Sequence, residues 1–226
     1  MKLGTLYNHS GGLGNQLLKF ISIKRFKNKN AYLYNSKIPL ITGEKFFPIF
    51  FSRWNPPLLE ALIGLSYSDL DNYLLLPNAA NEGLYIHFRG SDFAQWKTHS
   101  VMKIDWYEEV LSRAEFQNID CVYLMSDDYN HTTVGKLKSY LKQNGIKVIS
   151  FQHRSHILSD WWCLYNSRYI IASPSTFSIT AGIFGKSIIY LSREYAKSES
   201  SHINNIWNHL LNNPTRNTVL KNIKLI

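Results

Sequence analysis

From about residue 79 onward, short apolar runs alternate with amphipathic stretches, and the apolar runs stop at polar residues. Leu84–Ile86, Cys121–Met125, Lys147–Ser150, Tyr169–Ala172 and Ser187–Leu191 are too short for helices and rich in β-branched and aromatic residues, so they read as strands. Between them, residues 105–116, 134–143, 157–165 and 177–184 carry helical patterning. Asp105 is the expected cap of the first helix, and Ser159 or Asp160 of the third; Asn144-Gly145 and Gly185 close the second and fourth. Strands that alternate with single helices predict an α/β fold with a parallel, doubly wound, Rossmann-like sheet and right-handed crossovers.

The first 78 residues are less regular. Lys2–Asn8 reads as a strand, and Asn15–Lys27 as a helix with Leu17, Phe20, Ile21 and Lys24 at helical spacing. Pro48, Pro56 and Pro57 break the remainder into short elements and loops. The pattern therefore divides the chain into a small N-terminal lobe, 1–78, and a Rossmann-like lobe, 79–226. In the tail, Ile206–Leu211 is expected to form one more helix, packing back on the first lobe.

Composition narrows the class. With 226 residues, 45% of them hydrophobic and 14% aromatic, the chain is long and apolar enough for a real core. No run approaches the ~18 apolar residues of a membrane span, and the start, Met1 to Leu6, lacks the apolar stretch of a signal peptide. Cys121 and Cys163 are the only cysteines, too few for a disulfide framework or a cysteine-rich zinc site, and the expected compartment is a reducing cytoplasm. The formal charge of +9, concentrated at Lys24–Lys29, Lys136–Lys147 and Lys221–Lys224, suits an anionic partner or a solvated surface. No zinc-finger or RNP-type pattern accompanies it, so nucleic acid is not the expected partner. Peripheral contact with an anionic membrane through the basic clusters remains open.

Three segments carry candidate chemistry. Gly11-Gly12-Leu13-Gly14-Asn15-Gln16 joins the opening strand to the first helix. It is either an anion cradle of backbone N–H groups or a tight turn with Asn15 as helix cap. It matches neither the dinucleotide fingerprint nor the P-loop. At the break after Leu84–Ile86 stand His87, Arg89, Ser91 and Asp92. The planar fork of Arg89 matches phosphate oxygens, although a plain ion pair with Asp92 is the simpler reading. Ser175-Thr176-Phe177-Ser178 opens a helix directly after a strand, where hydroxyls and free N–H groups either grip a diphosphate or merely cap the helix. Ser126-Asp127-Asp128, at another strand end, would share the same rim, its acids open to a metal, a ribose or water.

Together these motifs resemble the GDP-fucose-dependent fucosyltransferases, the superfamily of α-1,2-, α-1,6- and protein O-fucosyltransferases. The Gly-Gly-Leu-Gly-Asn-Gln opening is similar to the α-1,2 branch, and His87-Phe88-Arg89…Asp92 to the His-x-Arg-Arg-Gly-Asp motif. Ser126-Asp127-Asp128 resembles the second motif, and Asp160…Ile170-Ile171-Ala172…Ser175-Thr176-Phe177-Ser178 the third. The resemblance implies a two-lobed, GT-B-like, inverting glycosyltransferase that needs no metal and no cofactor beyond its GDP-sugar donor. It implies a glycan or other hydroxyl acceptor, and the basic clusters leave a lipid-linked glycan open as that acceptor. It assigns Arg89 to the β-phosphate, and Gly12, Gly14, Asn15 and His87 to the donor's surroundings. Asp160 would face guanine, Ser175, Thr176 and Ser178 would hold phosphates, and Phe177 would pack beside base or ribose. Asp92 is the candidate general base. Gly90 stands where the family has a second arginine, Ser91 where it has glycine, and Ile179-Thr180 where a Trp-Trp pair is usual. The Arg-Gly-Ser-Asp loop is closer to the protein O-fucosyltransferase form. The competing expectations are a transferase using another nucleotide sugar in surface polysaccharide synthesis, and a non-catalytic module binding nucleotides or polyanions.

Overall fold

In the computed structural model, residues 6–7, 14, 32–33, 83–91, 101–151, 157–185, 187–199 and 222–226 are described. Most of the expected N-terminal lobe lies outside them. Among the described residues of 1–78, two strands, β1 (Leu6–Tyr7) and β2 (Tyr32–Leu33), pair in parallel. The remaining elements are β3 (Leu84–Phe88), α1 (Ile104–Leu111), β4 (Cys121–Ser126), α2 (Thr132–Gln143), β5 (Lys147–Ser150), α3 (Ile157–Tyr165), β6 (Tyr169–Ala172), α4 (Thr176–Gly185), β7 (Ile188–Leu191), α5 (Arg193–Glu199) and β8 (Ile223–Leu225).

Strands β3 to β8 form one all-parallel sheet in the order β5-β4-β3-β6-β7-β8. The sequence runs outward from β3 to one edge, then returns to β6 and runs outward to the other. This is the doubly wound Rossmann order, and its reversal lies between β3 and β6. With right-handed crossovers, α1 and α2 cover one face and the helices after β5 cover the other. The packing of α1 on α2 and of α3 on α4 agrees with that division. Every residue of β3 is buried, Ile86 and Phe88 completely, as a central strand covered on both faces requires.

The strand bounds match the apolar runs closely. Lys147–Ser150 and Tyr169–Ala172 end where their polarity changes, whereas β3 continues two residues past Ile86 through His87 and Phe88. The helices show where packing overrides local signals. The stretch 105–116 is not one helix: α1 stops at Leu111, and a separate 3-10 turn covers Ala114–Phe116. Phe116 is drawn into the core between the Tyr169 and Tyr190 rings, 5.4 and 5.1 Å away, and Ser112 Oγ donates to the Glu109 carbonyl at the break. Asp105 does not cap α1. Lys103 is the N-cap without a side-chain bond, and Asp105 lies in the first turn, where its charge still suits the helix dipole.

Helix α2 begins two residues earlier than Val134 because His131 caps it, Nδ1 accepting from Thr133 N at 3.2 Å. Its end follows the expected glycine closure: Gly145 has φ +73°, and Ile146 N donates to Leu141 O at 2.9 Å. Neither Ser159 nor Asp160 caps α3, since both lie inside a helix that starts at Ile157. Helix α4 is buried all round, from Phe177 to Phe184. At its far end, the Gly182 Cα lies against the Ile189 side chain, leaving no room for a methyl group. The sheet also has a sixth strand among the described residues: 223–225 pair with β7 as β8, so part of the tail joins this sheet. The expected helix at 206–211 lies outside the described residues, and among those described no helix is long and apolar enough to cross a membrane.

Candidate functional site

Parallel register brings three loops to one rim. Phe88 pairs with Ser126 and His87 with Ala172, so β4, β3 and β6 end side by side at their carboxyl ends. Residues 89–91, 127–128 and 173–175 therefore emerge together, at the point where the strand order reverses. In open α/β sheets ligands bind at this switch point, outside the carboxyl ends of the strands.

The loop after β3 is held from both sides. Ser173, wholly buried, accepts from Arg89 N at 3.0 Å, and its Oγ lies 3.3 Å from the Tyr107 hydroxyl of α1. Burial pushes the Tyr107 hydroxyl well above the usual tyrosine pKa, partly offset by this bond. On the other side Asp127 accepts from Gly90 N at 2.7 Å through Oδ1 and from Ser91 Oγ at 2.7 Å through Oδ2. The Arg89 Nε lies 3.9 Å from the same Oδ2, with about a third of each side chain exposed. The backbone of Gly90 passes over the buried Phe88 ring, and a Cβ there would lie 2.6 Å from Phe88 Cε1. Position 90 accordingly has no space for an arginine.

The loop after β6 turns into α4. Ser173 N donates to the His87 carbonyl at 2.8 Å, and Ser175 Oγ accepts from Phe177 N at 3.3 Å, a helix cap. Ser178 is fully buried, its hydroxyl donating to the Ser175 carbonyl at 3.2 Å. Thr176 is half-buried at the first turn. His87 and Phe177, nearly buried, face each other at 5.7 Å between ring centroids. Gly14, helical and buried, lies directly on this turn: a Cβ would overlap the carbonyl group of Thr176 and approach Phe177 N to 2.5 Å.

Of the residues singled out from sequence, Gly14, His87, Arg89, Ser175, Thr176, Phe177 and Ser178 thus collect around the ends of β3 and β6. Asp160 stands on α3, buried; burial first, and the Asp160 charge to a lesser degree, push the Tyr129 hydroxyl pKa up. Tyr129 caps the ends of the neighbouring strands, donating to the Leu124 and Phe151 carbonyls at 3.0 and 2.5 Å. Gly12, Asn15 and Asp92 lie outside the described residues. Ser173 is a residue the sequence did not single out, and Asp127, expected only as a rim acid open to a metal, a ribose or water, instead holds the loop after β3. The signal for Ser173 is its position, as a polar residue immediately after the apolar strand β6. Asp128 holds an Asx-type turn, accepting from Asn130 N at 3.0 Å. Among the described residues no group of three or more His, Cys, Asp or Glu side chains is arranged to hold a metal ion. No protein-family model matches the chain, and comparison with curated proteins gives no match.

Proposed function

We propose that this chain is a two-lobed, GT-B-like inverting glycosyltransferase that moves a sugar, L-fucose, from its GDP-linked donor to a hydroxyl of a glycan acceptor. One observation carries the reading: an arginine at the end of β3 and the N-terminus of α4 at the end of β6 stand on adjacent strands at the reversal of a doubly wound sheet. A helix N-terminus and a guanidinium together form an anion site suited to a diphosphate. The motif resemblance supplies the sugar and the nucleotide.

In this mechanism the acceptor oxygen attacks the anomeric carbon from the face opposite the diphosphate. The carbon–oxygen bond to the β-phosphate breaks, and its electron pair leaves with GDP. Arg89 offsets the charge that grows on the leaving oxygen. Asp92 takes the acceptor proton. Thr176 and the first N–H groups of α4 hold the diphosphate, Ser175 caps the helix, and Ser178 braces its first turn from within. His87 and Phe177 form the wall behind them. Gly12, Gly14 and Asn15 close the site from the N-terminal lobe, and Asp160 faces the base.

A thermal-shift panel of GDP, GDP-fucose, GDP-mannose, UDP-sugars and a short RNA tests the reading. Selective stabilisation by GDP compounds is the expected result, since a ligand that binds only the folded state raises its melting temperature. Indifference to all nucleotides would overturn it.

A further inference from the structure

We propose that Asp127 is a positioning residue: its carboxylate latches the loop 89–91 and sets the direction of the Arg89 side chain at the strand ends. The inference rests on the donor reading above only for the identity of the ligand. The latch itself stands on geometry. One carboxylate receives the Gly90 N–H and the Ser91 hydroxyl at 2.7 Å each, one on either oxygen, with Arg89 Nε facing Oδ2 at 3.9 Å. Charge-assisted hydrogen bonds of that length are among the stronger ones in proteins. They join loops separated by 36 and 37 residues in sequence. The adjacent register of β3 and β4, with Phe88 opposite Ser126, brings the two loops within reach.

Gly90 fits the same scheme. The Phe88 ring beneath it admits no side chain, and the close passage of the backbone is what directs its N–H at Oδ1. Ser173 anchors the Arg89 amide from the other flank, so the loop has one strand-end partner on each side. With the main chain held on both flanks and Nε turned toward Asp127, the guanidinium is constrained at the end of β3, on the side of the β4 loop. The two acids of Ser126-Asp127-Asp128 therefore divide their work: Asp127 serves the arginine loop, and Asp128 its own turn.

The prediction has a sign that a passive acid would not share. Removing a negative charge beside an anion site should tighten anion binding. If Asp127 positions Arg89, Asp127→Asn instead weakens GDP binding, by about tenfold in calorimetry. In an Arg89→Ala background the same substitution should change binding less than about twofold, because the group it acts through is gone. Tighter binding, or an equal loss in both backgrounds, would overturn the proposal. A second arm needs no nucleotide. Amide exchange at Gly90 should accelerate in Asp127→Ala, and the amides of β3 and β6 should keep their protection. Ser91→Ala, which removes one exposed hydroxyl, should leave Gly90 protected and the fold intact. Unchanged Gly90 exchange in Asp127→Ala refutes the latch. A wild-type chain that ignores GDP while Gly90 responds as described refutes the donor reading and leaves the latch standing.

Discussion

Gly14 and Thr176 are 162 residues apart in sequence, yet the Gly14 Cα rests against the Thr176 carbonyl so closely that a methyl group would overlap it. The atoms in the way belong to backbone, including Phe177 N, and backbone at a helix start cannot swing aside as a side-chain tip can. Position 14 and the first turn of α4 are thereby in direct backbone contact. Gly14→Ala is expected to destabilise the chain by about 1–3 kcal/mol, the usual range for overpacking a filled site, measured by urea denaturation. On the donor reading it also weakens GDP binding. A neutral Gly14→Ala would mean that the two segments do not touch in solution.

Glycines at 90 and 135 predict opposite signs. Gly90→Ala drives a methyl group into the fully buried Phe88 ring and is expected to cost about 1–3 kcal/mol. Gly135 lies inside α2 with nothing within 4 Å of the added carbon. There alanine removes the backbone-entropy penalty of glycine in a helix and is expected to add about 0.5–1 kcal/mol. Thermal melts of the two variants beside wild type decide both.

Arg89→Ala removes the one cation assigned to the leaving diphosphate. On the proposed mechanism it lowers kcat/KM by a factor corresponding to ~3 kcal/mol or more. Transfer from GDP-fucose should continue in EDTA. Near wild-type transfer by the variant would remove Arg89 from the mechanism, and a strict metal requirement would contradict the metal-free route.

Glu115 ties the 3-10 turn after α1 to the far edge of the sheet. It accepts from the Tyr190 hydroxyl at 2.7 Å and from Lys224 Nζ of β8 at 3.3 Å. The Tyr190 bond, then a backbone N–H, then Lys224 lower its pKa from 4.5 to about 2. A carboxyl depressed in the folded state contributes stability above its unfolded pKa and loses it as pH falls through the folded value. Stability should therefore decline between about pH 4.5 and pH 2. Glu115→Gln should flatten that slope in denaturant titrations at stepped pH. An unchanged slope would show that the carboxylate is not bonded in this way.

Apolar runs and their polar stops were enough to locate β3 to β7 and the helices between them, because a strand buried on both faces must be apolar along its length whatever its neighbours are. Polar and glycine residues at the strand ends likewise marked Arg89 and Ser175–Ser178 as one class of position. Local pattern failed where a distant partner outweighed it. Phe116 leaves the helical path for the Tyr169 and Tyr190 rings, His131 caps a helix that seemed to start at Val134, and residues 223–225 become a strand only because β7 offers an open edge. Strand order belongs to the same category. Periodicity is the same for every order of parallel strands, so only assembly could place β6 beside β3 and so make their loops neighbours. The Asp127 latch and the seat of Gly14 on α4 are legible only there, since a hydrogen bond or a steric contact depends on separation in space, and a linear pattern carries no separation beyond a helical turn or a strand.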